Sequence, residues 1–360
     1  MLVAVNGQHQ LINARQAERQ GHYFCPGCTG AVRLKRGSVM VAHFAHTQAA
    51  DCQVFSEGES NEHLLGKQQL AAWFTASGYV VQLEAGLPGV HQRPDLLVQR
   101  GTQPPLALEF QCSPLSVQRL AERTQGYWQH GYQVLWLLGE PYHQRLRLHG
   151  KALKFLQYYQ QWGAYLVFWH VRGAKLQLLH HLLTLDAEPL SYQTFWLDTH
   201  RQLVSDLQQF KARQRDSPLP AEHVHRYYRR LMVARLRHQQ VFTDLQTYCY
   251  QQGGAIGKLP AWTIPKRPQL PLLTVPYIVW YSHIFCQLKR QPALITTAQL
   301  QALLWSQLRP LLARGACLRL RGQLCHQLIM SMMMQLVSQQ VIIRAGQQWC
   351  LNFNQLGWVD

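Results

Sequence analysis

The chain has 360 residues, 47% apolar and only 15% charged, which leaves room for two or three domains with cores of their own and excludes a disordered chain. Lys and Arg outnumber Asp and Glu by 35 to 18, and the excess is uneven: residues 1–52 carry +3, 53–217 carry +2 and 218–360 carry +12. A basic C-terminal part behind a nearly neutral, carboxylate-bearing part points to a polyanionic partner, most simply nucleic acid, with general solubility charge as the competing explanation.

The nine cysteines, an odd number, lie mostly scattered through apolar runs, and the amino-terminal residues lack a basic region followed by a long apolar run and cleavage site. Reduced cysteines and a cytoplasmic location are expected. The most apolar stretch, residues 270–285, is interrupted by Pro271, Pro276, Ser282 and His283, so no membrane partner is expected. No P-loop, dinucleotide fingerprint, internal repeat or low-complexity tract occurs.

Residues 1–13 pattern as a hairpin, Leu2–Val5 and Gln10–Ala14, turning at Asn6-Gly7. Cys25-Pro26-Gly27-Cys28 follows, a knuckle whose closely spaced thiolates suit a tetrahedral zinc site. A second hairpin, Val32–Lys35 and Val39–Ala42 around Arg36-Gly37, delivers His43-Phe44-Ala45-His46, with Cys52 shortly after. In an extended segment the two histidines point to opposite faces, so only one joins the metal. The expected structural Zn²⁺ set is Cys25, Cys28, His46 and Cys52. A redox CxxC or uncoordinated thiols compete with it, although no thioredoxin-like βαβ pattern surrounds the pair.

Residues 59–77 predict an amphipathic helix, with Leu64, Leu70, Ala71, Trp73 and Phe74 at helical spacing, Ser60 as N-cap and Gly78 as the stop. Glu59, His63 and Lys67 share one face of it, with Glu62 beside them. Strands are predicted at Tyr79–Glu84, Arg93–Gln99 and Leu106–Cys112, the last two as a hairpin. Asp95 stands near the start of one strand and Glu109 near the end of the other, so antiparallel pairing brings both carboxylates to one end. Two carboxylates at one site repel unless a divalent cation lies between them, the arrangement of a magnesium-dependent phosphodiesterase. A turn aspartate after Pro94 and a solvated strand glutamate are the bland alternative. A helix over Ser116–His130, carrying Arg119, Arg123 and Tyr127, and a buried apolar strand over Tyr132–Leu138 complete a helix, three strands, helix, strand order. That order is the core of the PD-(D/E)xK nuclease fold.

The ordered series Cys25-Pro-Gly-Cys28, His43-Phe-Ala-His46, Glu59-Ser-Asn-Glu62-His63-Leu with Lys67, Arg93-Pro-Asp95, Glu109-Phe-Gln111-Cys-Ser113 and Arg123-Thr-Gln-Gly-Tyr127 resembles the competence protein CoiA family, predicted PD-(D/E)xK-type nucleases of naturally transformable bacteria. The resemblance covers residues 1–140. It implies Mg²⁺ (or Mn²⁺) held by Asp95 and Glu109, with a carboxylate on the first helix, Glu62, completing the shell. It further implies that Gln111 positions the water, that Lys67 and His63 contact phosphate, and that Arg119 and Arg123 contact DNA; Arg229 and Arg230, on the basic C-terminal part, are expected to contact DNA as well. The implied role is handling incoming single-stranded or branched DNA, in partnership with recombination proteins such as RecA. General PD-(D/E)xK nucleases carry Lys where this chain has Gln111; an amide orients water but supplies no positive charge, unless Lys67 or Arg123 arrives from a flanking helix. The alternative is a DNA-binding or recombination-mediator protein that keeps the fold without turnover.

Beyond residue 150, strands are expected at Ala164–His170 and Lys175–Leu179 and a polar helix near Tyr192–Lys211, with a linker at Asp216–Pro220. A long helix is expected over His223–Gln252, then helices at Thr297–Leu308 and Cys317–Ser338 and a hairpin over Val341–Asn352 turning at Ala345-Gly346. Helix, helix and basic hairpin resemble a winged helix, and a generic α-rich cap fits equally. The expected fold class is α/β: a PD-(D/E)xK (restriction endonuclease-like) core between an N-terminal zinc-binding β domain and a mainly α-helical C-terminal region. The expected divisions are 1–56, 57–150, 151–217 and 218–360.

Overall fold

The computed structural model describes residues 1–38, 40–47, 59–87, 89, 92–144, 146–147, 150–186, 188–213, 222–313 and 315–359. Two units emerge: Met1–Leu146 with Lys151–His180 and Gln193–Ala212, and Arg147–Gly150 with His181–Tyr192 and Arg213–Asp360.

In the first unit, β1 (Val3–Asn6), β2 (Leu11–Asn13), β3 (Tyr23–Phe24), β4 (Ala31–Lys35) and β5 (His43–His46) form a five-stranded antiparallel sheet in the order β2-β1-β3-β4-β5. The first turn is longer than the two residues suggested by Asn6-Gly7. The Asn6 side chain accepts from the Gln8 and Gln10 amides, 3.0 and 2.9 Å, and so organises a wider loop. The last strand is His43–His46 rather than Val39–Ala42, of which Val39 lies outside the described residues. Phe44 decides this: alternation buries its ring against Tyr23, 4.9 Å between centroids, and leaves the histidines at the strand ends.

The central sheet follows helix α1 (Asn61–Ala76). Its strands are β6 (Val80–Leu83), β7 (Leu96–Gln99), β8 (Leu106–Gln111), β9 (Gln133–Leu138), β10 (Gln157–Tyr159), β11 (Gly163–His170), β12 (Lys175–Leu183) and β13 (Ser191–Asp198). They run in the order β13-β12-β11-β9-β8-β7-β6, with β10 paired to β11. Helix α2 (Val117–Gln129) makes the crossover that the parallel pair β8–β9 requires. Period-two alternation in β8 sends Leu108 and Phe110 to the α1 face, with Leu70, Trp73, Phe74, Leu96 and Trp169. Ala107 goes to the other face, with Tyr127 of α2. Where the sequence suggests a polar helix near 192–211, the chain forms β13 and the short α3 (Val204–Gln209). Aromatic and β-branched residues alternate there, and Phe195 turns inward to stack on Phe210 at 4.0 Å.

In the second unit the expected long helix is two, α4 (His223–Leu236) and α5 (Gln240–Gln251). His238 enters the left-handed region at φ 52° and ends the first of them. Helix α6 (Tyr277–Leu288) is capped by Asp186, whose carboxylate accepts from the Tyr277 and Ile278 amides, both at 2.8 Å. Burial pushes that carboxyl up to about 6 despite these bonds. Then come β14 (Leu294–Thr296), α7 (Thr297–Leu308) with a Thr296/Gln299 capping box, α8 (Arg321–Ser338), β15 (Ile342–Ala345) and β16 (Gln348–Leu351). The sheet order β14-β16-β15 joins the first strand to the last, the connectivity of a winged helix. Among the described residues, no helix is long and apolar enough to cross a membrane.

One contact fixes the height of α1 over the sheet. A Cβ at Gly66 would stand 2.2 Å from the Phe110 ring, and that ring is buried and cannot swing away. Gly66→Ala is expected to destabilise by ~1–3 kcal/mol, because overpacking outweighs the helix-propensity gain. Denaturant unfolding of Gly66→Ala, alone and with Phe110→Leu, checks this; stability equal to wild type in the single variant contradicts the packing.

Candidate active site

The β7–β8 pairing sets Leu96 against Leu108 and Leu97 against Ala107. One further step along this register puts Asp95 across from Glu109, so the hairpin brings the two acids to one end. Asp95 Oδ2 accepts from the Phe110 amide at 2.8 Å and lies 3.1 Å from His63 Nε2. Its Oδ1 is 3.7 Å from Lys67 Nζ. Burial alone would raise this carboxyl, but His63, Lys67 and the Phe110 amide hold it well below the usual carboxylate range.

Helix α1 supplies the cations. Ser60 caps it by accepting from the His63 amide, 3.2 Å, so Glu59, His63 and Lys67 fall on successive turns of one face. Lys67 is only 1% exposed, yet charged: its ammonium donates to Glu59 and, at 2.5 Å, to Glu84. Burial would depress it; the carboxylates Glu84, Glu59 and Asp95 outweigh burial and raise it. Glu59 is likewise held at about 2, against its own burial, by Lys67, the Met1 amino group and His63. Asp95 and Glu59 raise His63 in spite of burial. Donor atoms of Glu59, His63 and Asp95 lie within 4.8 Å of one another.

Glu84 carries no spacing signal that could reveal it. It ends β6 at φ 50°, a left-handed conformation that aims its buried carboxylate back at the Leu2 and Val3 amides, 2.8 and 3.3 Å. Its carbonyl accepts from Arg93 Nε at 2.8 Å. The N-terminal sheet and the central sheet therefore share this one carboxylate.

Glu109 faces the other way, into α2. It accepts from Tyr127 Oη and, at 2.5 Å, from Arg123 Nη2. Burial pushes it up to about 7, against the pull of Arg123. The two flanking cations thus divide the acid pair: Lys67 reaches Asp95 and Arg123 reaches Glu109. Gln111 donates its amide to the Ser113 carbonyl and hydroxyl, both at 2.9 Å. Glu62, on α1, accepts from the Glu140 amide at 2.7 Å, and the carboxylate gathered beside Asp95 is instead Glu59, just ahead of the helix. Arg119 is exposed and 3.5 Å from Glu122. Arg229 is exposed on α4, and Arg230 bonds Glu188 at 2.8 Å.

In the N-terminal sheet, Cys25, Cys28 and His46 bring donor atoms within 4.8 Å of one another, with Cys28 Sγ 3.3 Å from His46 Nε2. His43 Nδ1 lies instead 2.8 Å from the Val41 carbonyl oxygen, in keeping with the opposite-face expectation. Thr29 at φ 58° and the Gly27 amide on Cys25 Sγ, 3.3 Å, close the knuckle. Cys52 lies outside the described residues.

Residues 7–55 match the N-terminal domain of competence protein CoiA, and residues 59–212 match its nuclease-like domain. The competence protein CoiA of Bacillus subtilis (strain 168) is 34% identical over 131 residues, 36% of this chain and 35% of the relative. The match thus spans about a third of that relative's length. No solved structure matches the chain.

The upward displacement of Glu109 has a measurable sign. A carboxyl raised above its unfolded value contributes stability that is present below the unfolded pKa and lost as pH rises through about 7. Glu109→Gln removes that titration and adds a pH-independent cost from the lost Arg123 partner. Melts in EDTA from acid to alkaline pH should therefore show wild type losing ground relative to Glu109→Gln near neutrality; parallel curves contradict a neutral-leaning Glu109.

Proposed function

The chain belongs to the competence protein CoiA family, and on that premise we propose that it is a divalent-cation-dependent nuclease of natural competence, acting on incoming or branched DNA. In this proposal the segment from α1 to β9 is a PD-(D/E)xK core and the end of the β7–β8 hairpin is its active centre. The convergence of Glu59, His63, Lys67 and Asp95 at that end, with Glu109 across the hairpin on the α2 side, supports the proposal. Two ionised carboxylates fit Mg²⁺ or Mn²⁺, and Glu59 and Asp95 would hold the ion, with the His63 imidazole as a further donor better suited to Mn²⁺. When bound, the ion supplies charge stabilisation on the scissile phosphate and lowers the pKa of a bound water. Lys67 keeps Glu59 ionised, and His63 with Lys67 keeps Asp95 ionised, before any ion arrives. Glu109, its carboxyl pushed up to about 7, is able in its ionised form to accept a proton from an attacking water. Arg123, partly exposed, supplies the positive charge that Gln111 lacks.

The Gln111 amide, closed onto Ser113, favours a second function. With it turned to the following turn, and with Lys67 and Arg123 both in ion pairs, the site would hold DNA and metal with little turnover. In the N-terminal sheet we assign Cys25, Cys28 and His46 to a structural Zn²⁺, with Cys52 as fourth ligand; two thiolates and an imidazole at this separation suit that ion.

Cleavage of single-stranded, duplex and branched DNA with Mg²⁺, Mn²⁺ or EDTA separates the two functions. The nuclease requires cation-dependent cleavage that falls at least ~100-fold in Asp95→Asn and in Glu109→Gln, with DNA affinity in EDTA unchanged. Binding without cation-dependent cleavage in wild type, and no gain in Gln111→Lys, supports the binding protein instead. For the knuckle, elemental analysis of chelator-free protein should find about one zinc per chain, absent from Cys25→Ser, which should also unfold earlier; zinc-free wild type would sink the assignment.

A further inference from the structure

Residues 277–351, α6 through β16, contain seven Lys or Arg and no Asp or Glu. Their strand order is that of a winged helix, and α8 occupies the place of the groove-entering helix. Leu324, Cys325, Leu328, Ile329 and Met332 bury one face of α8. The opposite face of its first half exposes Gln323, His326 and Gln327, amides and an imidazole at helical spacing with no charge among them. Arg319 is exposed immediately ahead of the helix. On the wing, Arg344 is exposed and stacked 4.8 Å over the Trp349 ring, while Gln347 and Gln348 are exposed at the hairpin tip.

We infer that this winged helix is a second DNA site, specific for duplex: α8 enters the major groove through Gln323, His326 and Gln327, and Arg319 and Arg344 grip the flanking phosphates. The major groove admits an α-helix, and side-chain amides pair with base edges there, most favourably with adenine. A single strand offers no groove for such a face. Phosphate contacts carry the affinity, which is why a surface free of carboxylates matters more than the number of cations. Exposed Met334 and Val337, on the second half of α8, would serve a protein partner better than DNA, but an acid-free module favours a polyanion. The site lies outside the catalytic cluster, so it stands or falls independently of the nuclease proposal.

The test uses full-length protein in EDTA, where cleavage plays no part, and fluorescence anisotropy with a labelled duplex of about 20 base pairs, two helical turns, and its single strand, across a KCl series. Wild type should bind the duplex more tightly. Arg319→Ala with Arg344→Ala should weaken duplex binding about tenfold and lower the salt slope by roughly two, about 0.9 for each phosphate that is no longer neutralised. Arg33→Ala with Lys35→Ala, two exposed cations of the N-terminal sheet, is the charge-matched control and should leave both unchanged. Equal affinity for single strand and duplex overturns the inference. So does a wild-type slope in the Arg319/Arg344 variant, or the same loss in the control.

Discussion

A buried ammonium holds the first unit together. Lys67 sits in the protein interior because Glu59, Glu84 and Asp95 surround it, and those carboxylates tolerate burial because Lys67 is among them. Removing one member leaves uncompensated charge in a poorly solvated place, which is far costlier than losing a surface pair. The members come from separate parts of the chain: the start of α1, its second turn, the end of β6 and the approach to β7. Through Glu84 the network extends to the Leu2 and Val3 amides of the N-terminal sheet. Stability and candidate chemistry thus draw on the same charges.

The two acids at opposed positions of the hairpin live in unlike surroundings. Asp95 is enclosed by cations and an amide and stays ionised; Glu109, deeper and held by a phenol and a guanidinium, leans toward the neutral form. Paired carboxylates whose environments separate their proton affinities have the means to divide ligand and proton-transfer roles. The wrinkle is Gln111, whose amide is satisfied locally.

Much of this was readable from residues alone where a short-range rule applied. The Ser60 cap and the Glu59–His63–Lys67 face follow from helical spacing, the Asp95–Glu109 opposition from hairpin register, and the separation of His43 from His46 from strand alternation. Glu84 was not readable: its role depends on a left-handed residue ending a strand and on an N-terminal sheet folding back onto it, neither of which leaves a local pattern. The β13 segment misleads because Gln, Thr and Ser dilute its aromatic alternation, and the α4–α5 break hides in a run of good helix formers. The choice of Glu59 over Glu62 beside Asp95 was equally hidden, since a helix face three residues wide admits either.

The contact between Gly66 and Phe110 acts on the reach of a side chain one turn away. His63 meets Asp95 only because α1 lies as close to the sheet as backbone against ring allows, so the separation is set by a residue with no side chain at all. A helix resting on such a stop cannot approach further, and anything that thickens the seam carries the imidazole away from Asp95. Drift at position 66 in related chains would therefore alter the His63–Asp95 contact as well as the packing of α1.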